Sequence, residues 1–142
     1  MILGFTGSRY EPTSSQKNWL LQYMLDNPAE EFHHGCCIGS DEFAHRAAKN
    51  CFDLGLKQIV LHPPSNHSKE MEYTDWDYAN CVWYPRKDYL VRNRDIVNAA
   101  DILLALPNGP EKMRGSGTWW TIRYARNHFK KVIICDPLGN VT

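Results

Sequence analysis

The chain has 142 residues, 43% of them hydrophobic, with 16 basic and 16 acidic side chains and a formal net charge of zero. That length fits one domain, 1–142, that buries roughly two thirds of its unfolded surface and needs neither disulfide nor metal to hold a core. Neutral balance argues against a general DNA-coating protein and a polybasic membrane binder, although residues 80–131 carry 10 Lys/Arg against 4 Asp/Glu, enough to hold an anion locally.

No segment approaches the roughly 18 consecutive apolar residues of a membrane span. The start, Met1-Ile2-Leu3-Gly4-Phe5-Thr6-Gly7, lacks the basic and long apolar regions of a signal peptide, so a cytoplasmic location is expected. Five cysteines, an odd number in mostly apolar contexts, read as free thiols of a reducing compartment. Cys36-Cys37 beside His33-His34 invites a metal reading, but neighbours along a strand point to opposite faces, and neither metal nor cofactor is expected.

In chain order, Ile2–Thr6 is a short apolar strand broken by Gly7-Ser8-Arg9. Thr13-Ser14-Ser15-Gln16 has capping-box spacing, and Trp19, Leu20, Tyr23 and Met24 then recur at helical period. Phe32–Ile38 reads as a second strand. A helix follows from Gly39-Ser40-Asp41-Glu42, with Phe43, Ala44, Ala47, Ala48 and Cys51 on one face and Gly55 as its stop. Gln58–Leu61 is a third strand, ended by Pro63-Pro64, and residues 65–79 are a loop with a helical turn or two. Tyr89–Ala100 is helical, Ile102–Leu106 a strongly apolar strand, Pro107–Gly117 a loop, Thr118–Phe129 a helix and Val132–Cys135 a last buried strand. Continuous apolar runs alternating with helices are what a parallel sheet covered on both faces requires. The fold class is α/β, a single doubly wound domain.

In such sheets ligands bind outside the carboxyl ends of the strands. Three loops there carry suitable chemistry. Gly7-Ser8-Arg9 offers close backbone approach, a hydroxyl and a guanidinium fork; Gly39-Ser40-Asp41 opens the second helix; Gly115-Ser116-Gly117-Thr118 stands where free N–H groups and the helix dipole favour a phosphate. Each also has a plainer reading: a turn after a strand, an Asp complementing a dipole, a glycine-rich connection. Their coincidence on one edge favours a ligand. Arg92-Asn93-Arg94 adds two guanidinium groups early in a helix, or a solvated face.

The stretch Gly35-Cys36-Cys37-Ile38-Gly39-Ser40-Asp41-Glu42-Phe43-Ala44-His45-Arg46-Ala47-Ala48 is similar to the G-x-A-x-G-I-D-x-x-A-H-x-x-A signature of the DNA-processing protein A family, and Arg92-Asn93-Arg94-Asp95-Ile96 resembles its R-N-R-x-I segment. Asp101–Pro107 leading to Gly115-Ser116-Gly117-Thr118, with Arg92 upstream, resembles the Lonely Guy or "lysine decarboxylase-like" phosphoribohydrolases. Both are SLOG families of Rossmann-like nucleotide-binding domains. The resemblance implies a stand-alone SLOG domain in the style of the small, often phage- or plasmid-associated members, binding AMP or an ADP-ribose-like signal. By carry-over, Gly7, Ser8 and Arg9 line the first loop, and Gly39, Ser40 and Asp41 face sugar or phosphate. Arg92 clamps phosphate, while Gly115, Ser116, Gly117 and Thr118 donate hydrogen bonds. Thr121 stands where the phosphoribohydrolases carry a catalytic Glu, and Asn108–Arg114 replaces their tight turn.

A phosphoribohydrolase reading therefore needs Asp41 or Glu111 as substitute. A third reading is a single-strand DNA-binding recombination mediator using the basic 80–131 region. Trp76, Tyr78, Trp83, Tyr84 and Trp119-Trp120 are candidates for a base-stacking wall, with Trp119 equally a core residue. His45 is a structural histidine or a proton carrier. Superfamily members often dimerise through helices, which makes Tyr23, Met24, Trp119 and Trp120 candidate contacts of a homo-oligomer.

Overall fold

A computed structural model of the protein describes residues 1–73, 80–112 and 115–142. Its strands are β1 (Ile2–Gly7), β2 (Glu31–His34), β3 (Gln58–Leu61), β4 (Cys81–Trp83), β5 (Ile102–Leu106) and β6 (Lys131–Ile134). They form one sheet in the order β4-β3-β2-β1-β5-β6, and every pairing is parallel. The helices are α1 (Ser14–Asp26), α2 (Ser40–Lys49), α3 (Tyr89–Ala99) and α4 (Gly117–Asn127). None of them is long and apolar enough to cross a membrane.

Because side chains alternate along a strand, the sheet offers two apolar faces. Leu3, Phe5, Phe32, Ile59, Leu61 and Leu104 turn toward α1 and α2, where Leu20, Met24, Ala44 and Ala48 close the larger core. Leu103 meets Ile96, Val97 and Ala125, and Ala105 meets Trp119 and Ile122, so α3 and α4 cover the other face. Thr13 caps α1 in a reciprocal capping box with Gln16, as the sequence spacing requires.

Two elements depart most from the sequence reading; the ends of β1, α3, α4 and β6 lie one or two residues from those expected. The second strand ends at His34 rather than Ile38, because Cys36 turns the chain with φ of 63° and the backbone leaves the sheet. The edge strand β4 has no apolar run to announce it; Val82 and Trp83 are exposed, as an edge permits. The region 65–79 holds one short 3₁₀ turn, His67–Lys69, and residues 74–79 lie outside the described part.

The topology fixes where a ligand can enter. From β1 the chain winds outward through β2, β3 and β4, then crosses back through α3 to place β5 on the other side of β1. The loops after β1 and β5 therefore diverge to opposite faces and leave a crevice at their carboxyl ends, the switch point of a doubly wound sheet.

Candidate functional site

A cleft of about 610 Å³ opens at this switch point, within the range of small-molecule sites. Its floor is Thr6 and Gly7 at the end of β1. One side is built by Gly35, Cys37 and Asp41 from the β2–α2 connection and by Tyr89 and Arg92 from α3; the opposite side is built by Asn93, Asn108 and Gly115–Thr118. Asn66, Ser68 and Lys69 reach it from beyond β3, and Arg9 and Tyr10 stand at the mouth.

Of the residues singled out in the sequence, Gly7, Ser8, Arg9, Asp41, Arg92, Gly115, Ser116, Gly117 and Thr118 all line this cleft. Gly39 and Ser40 do not. Gly39 has φ of 81°, and a Cβ there would collide with the carbonyl of Arg9. A Cβ on Gly7 would meet Ser40, whose amide donates to the Ser8 carbonyl at 3.1 Å and whose hydroxyl donates to the Tyr10 carbonyl at 3.3 Å. These two residues lock the first loop to the second. Their glycine and hydroxyl chemistry serves packing between loops, which a signature alone does not separate from ligand contact.

Arg92 is 5% exposed. Its Nη1 donates to the carbonyls of Gly35 and, at 3.3 Å, His62, so it ties together the carboxyl ends of β2 and β3. Its Nε donates to Asn93 Oδ1 at 2.8 Å, and Nη1 and Nη2 lie 3.9 and 3.8 Å from Cys37 Sγ. Nη1 and Nε are thus taken by oxygens of the chain itself, while Nη2, which has only the Cys37 sulfur near it, is the part of the fork left toward the cleft.

Asp41 sits 6% exposed, and its Oδ2 accepts the Cys37 amide at 3.1 Å. Burial pushes its carboxyl up to about 6, while the Arg92 charge and the Cys37 and Gly35 amides pull the other way. It therefore exchanges a proton near neutral pH. Cys37 is pushed up to about 11, chiefly by burial and then by the Asp41 charge, so it faces the cleft as a thiol.

Glu111 is not among the cleft residues; it lies 3.8 Å from Arg126 and 4.0 Å from Arg123 on the outside of α4. Thr121 is buried and its hydroxyl donates to the Gly117 carbonyl at 2.8 Å, inside its own helix. Trp119 is core, with its Nε1 donating to the Gly109 carbonyl at 3.0 Å, which pins the loop after β5. Trp120 stacks on Tyr124 along α4, and Tyr84 packs on His62, both away from the cleft. Trp76 and Tyr78 lie outside the described residues. The aromatic residues lining the cleft among the described residues are Phe5, a core residue of β1, and Tyr10 and Tyr89; the two tyrosines were not anticipated, since no periodic or glycine pattern marks them.

His45 accepts from His34 in a buried pair at 2.8 Å, and His34 Nδ1 in turn accepts the Cys36 amide at 3.0 Å. The pair secures the β2 exit against α2 and does not line the cleft. On the other face His33 bridges Glu31 and His62, each at 2.8 Å. Among the described residues no group of three His, Cys, Asp or Glu side chains is placed to hold a metal ion.

No protein-family model and no curated protein matches the sequence. The X-ray structure of TM1055, a structural genomics target, is similar with a TM-score of 0.58 at 15% identity, over 92% of this chain and 71% of that one. The fold is Rossmann-like. At that identity the likeness speaks for the fold alone.

Proposed function

We propose that the protein is a stand-alone SLOG-type domain that binds a nucleotide or nucleotide-derived signal, AMP or ADP-ribose-like, as a sensor or sequestering module. The observation that carries this reading is the cleft itself: a volume of about 610 Å³ at the switch point, bordered by the N-terminus of α4. Gly117 and Thr118 open that helix, so their N–H groups have no intrahelical acceptor and point with the positive end of the dipole at whatever occupies the cleft. Ser116 caps the helix by accepting the Trp119 amide at 3.1 Å, which holds the turn in register. Tyr89 supplies an apolar ring for a base, and Arg9 and Lys69 add cations at the rim.

A thermal-shift series with AMP, ADP-ribose, NAD and cyclic ADP-ribose isomers tests the reading. A rise in melting temperature that saturates with one of them is expected; no rise with any overturns it.

One observation favours a second reading, hydrolysis of the N-glycosidic bond of a nucleoside monophosphate. Asp41 is a cleft carboxyl held near 6, able to stabilise a developing sugar cation or pass a proton. Free base released from AMP by the parent protein and not by Asp41→Asn supports this alternative; release unaffected by the substitution removes Asp41 from it.

A further inference from the structure

Two cations from separate elements meet at the mouth of the cleft, Arg9 from the loop after β1 and Lys69 from the segment beyond β3. Arg9 Nη2 donates to the Tyr10 hydroxyl at 3.2 Å. Lys69 reaches the same phenol: the Arg9 hydrogen bond and charge, and behind them the Lys69 charge, hold Tyr10 below its ordinary value. Among the described residues neither Arg9 nor Lys69 has a carboxylate partner, whereas Lys17, Arg46, Arg86 and Lys87 each have one. Like charges gathered without a counter-ion at the mouth of a cleft raise a local positive potential, which an anion satisfies.

Both cations are braced from behind by one segment, the connection from β2 to α2. A Cβ on Gly39 would collide with the Arg9 carbonyl, and Ser40 donates its amide to the Ser8 carbonyl and its hydroxyl to the Tyr10 carbonyl. The same connection holds the backbone of Lys69. The Ile38 amide donates to the Lys69 carbonyl at 2.9 Å, the Met71 amide donates to the Cys36 carbonyl at 2.8 Å, and Cys37 forms an antiparallel bridge with Glu70. Glu70 adds a second anchor: its carboxylate, 7% exposed, accepts Arg86 Nη1 and Nη2 at 2.6 and 3.0 Å and the Tyr73 hydroxyl at 2.9 Å. Lys69 therefore stands on a fixed backbone with its side chain half-buried at the cleft wall. Donors fixed in advance lose less entropy on binding. Gly39 and Ser40, which do not line the cleft, thereby acquire a role in it, since they hold the two cations in place.

We propose that Arg9, Lys69 and the Tyr10 hydroxyl form an anion subsite at the mouth of the cleft, apart from the N-terminus of α4, and that the ligand is a nucleotide carrying a second phosphate group. The Tyr10 hydroxyl accepts from Arg9 and keeps its own proton to donate, so all three groups offer hydrogens to the anion. This rests on the nucleotide reading above and narrows its substrate class from one phosphate to two.

The test is isothermal titration of the parent, Arg9→Gln, Lys69→Gln and the double variant with AMP, ADP, ADP-ribose and inorganic phosphate. Arg9 is exposed and Lys69 half-buried, so the fold is retained. The readout is the affinity for ADP or ADP-ribose relative to AMP, in which contacts common to all three cancel. A ratio of about 10 or more is expected in the parent for at least one of the two, about 3-fold lower in each single variant and close to unity in the double variant. Lys57→Gln removes a charge at the opposite, amino end of β3 and is expected to leave the ratio unchanged. With AMP bound, a parental ratio near unity, a ratio kept in the double variant, or one lowered as much by Lys57→Gln overturns the proposal and leaves the nucleotide reading standing. Phosphate bound by the parent and lost in the double variant, with no nucleotide bound by either, supports the subsite and overturns the nucleotide reading instead. A parent that binds none of the probes overturns both.

Discussion

On the β2 and β3 side of the cleft, Arg92 is bound to the carbonyls of Gly35 and His62, and Asp41 accepts the amide of Cys37. On the β1 and β5 side, Thr6, Asn93 and Thr118 are as deeply buried but keep donors open to the cleft. Buried charge is therefore a poor guide to ligand contact here. The ionised groups must be compensated within the fold, because leaving a buried charge unpaired costs several kcal/mol. Neutral donors are cheaper to leave open, so under the proposed function they are the groups left for a ligand. The first side should govern stability and its pH dependence; the second should govern affinity and leave stability almost untouched.

The largest expected effect falls on the first side. Gly39→Ala places a Cβ against the Arg9 carbonyl at a positive φ, and is expected to destabilise the protein by about 3 kcal/mol or more in urea unfolding. A fall below about 1 kcal/mol would show that the two loops are not locked.

Next come the buried histidines. Burial, with the neighbouring His33 charge second, pulls His62 down to about 3, so it stays neutral in the folded state while the unfolded chain takes up a proton near the ordinary histidine value. Stability is then complete above that ordinary value and is lost as the pH falls toward 3. Between pH 7 and pH 4 the parent is expected to lose about 3 kcal/mol more than His62→Gln.

Asp41 has the opposite sign. Its raised carboxyl binds a proton more tightly when folded, so its contribution is complete below about pH 4 and is lost as pH rises through about 6. Relative to the parent, Asp41→Asn is expected to gain about 2 kcal/mol in unfolding free energy from pH 4 to pH 7. A difference independent of pH contradicts the assignment.

The smallest effect on stability belongs to the second side. Thr118→Val keeps the shape of the side chain and removes a hydroxyl that has no partner, so melting is expected to move by less than about 0.5 kcal/mol. AMP affinity is expected to fall about 5-fold, the worth of one hydrogen bond. If stability falls instead and affinity holds, the two sides have been assigned the wrong way round.

The sheet was legible wherever a strand is buried on both faces: Gln58–Leu61 and Ile102–Leu106 stand in the sequence as apolar runs and in the structure with the same bounds. The edge strand Cys81–Trp83 was not, because an exposed edge imposes no apolar pattern. The cleft was legible as an edge and as loops, through Gly7-Ser8-Arg9 and Gly115–Thr118. Division of labour within it was not. Arg92 and Asn93 adjoin in sequence, and only the position of the Gly35 and His62 carbonyls decides how much of the Arg92 fork is left for the cleft. Gly39 and Ser40 likewise look the same whether they meet a sugar or another loop, and it is the bend at Cys36 that turns them toward Tyr10.

The most direct test of the account is a ¹⁵N-edited NMR titration of the protein with AMP, following backbone amides and the Asn side-chain NH₂ groups. Saturable shifts at Thr6, Gly117 and Thr118 and at the Asn93 side chain, with the Gly39 and Ser40 amides nearly still, are the expected result. Shifts confined to other surfaces, or a spectrum unchanged at millimolar AMP, would contradict it.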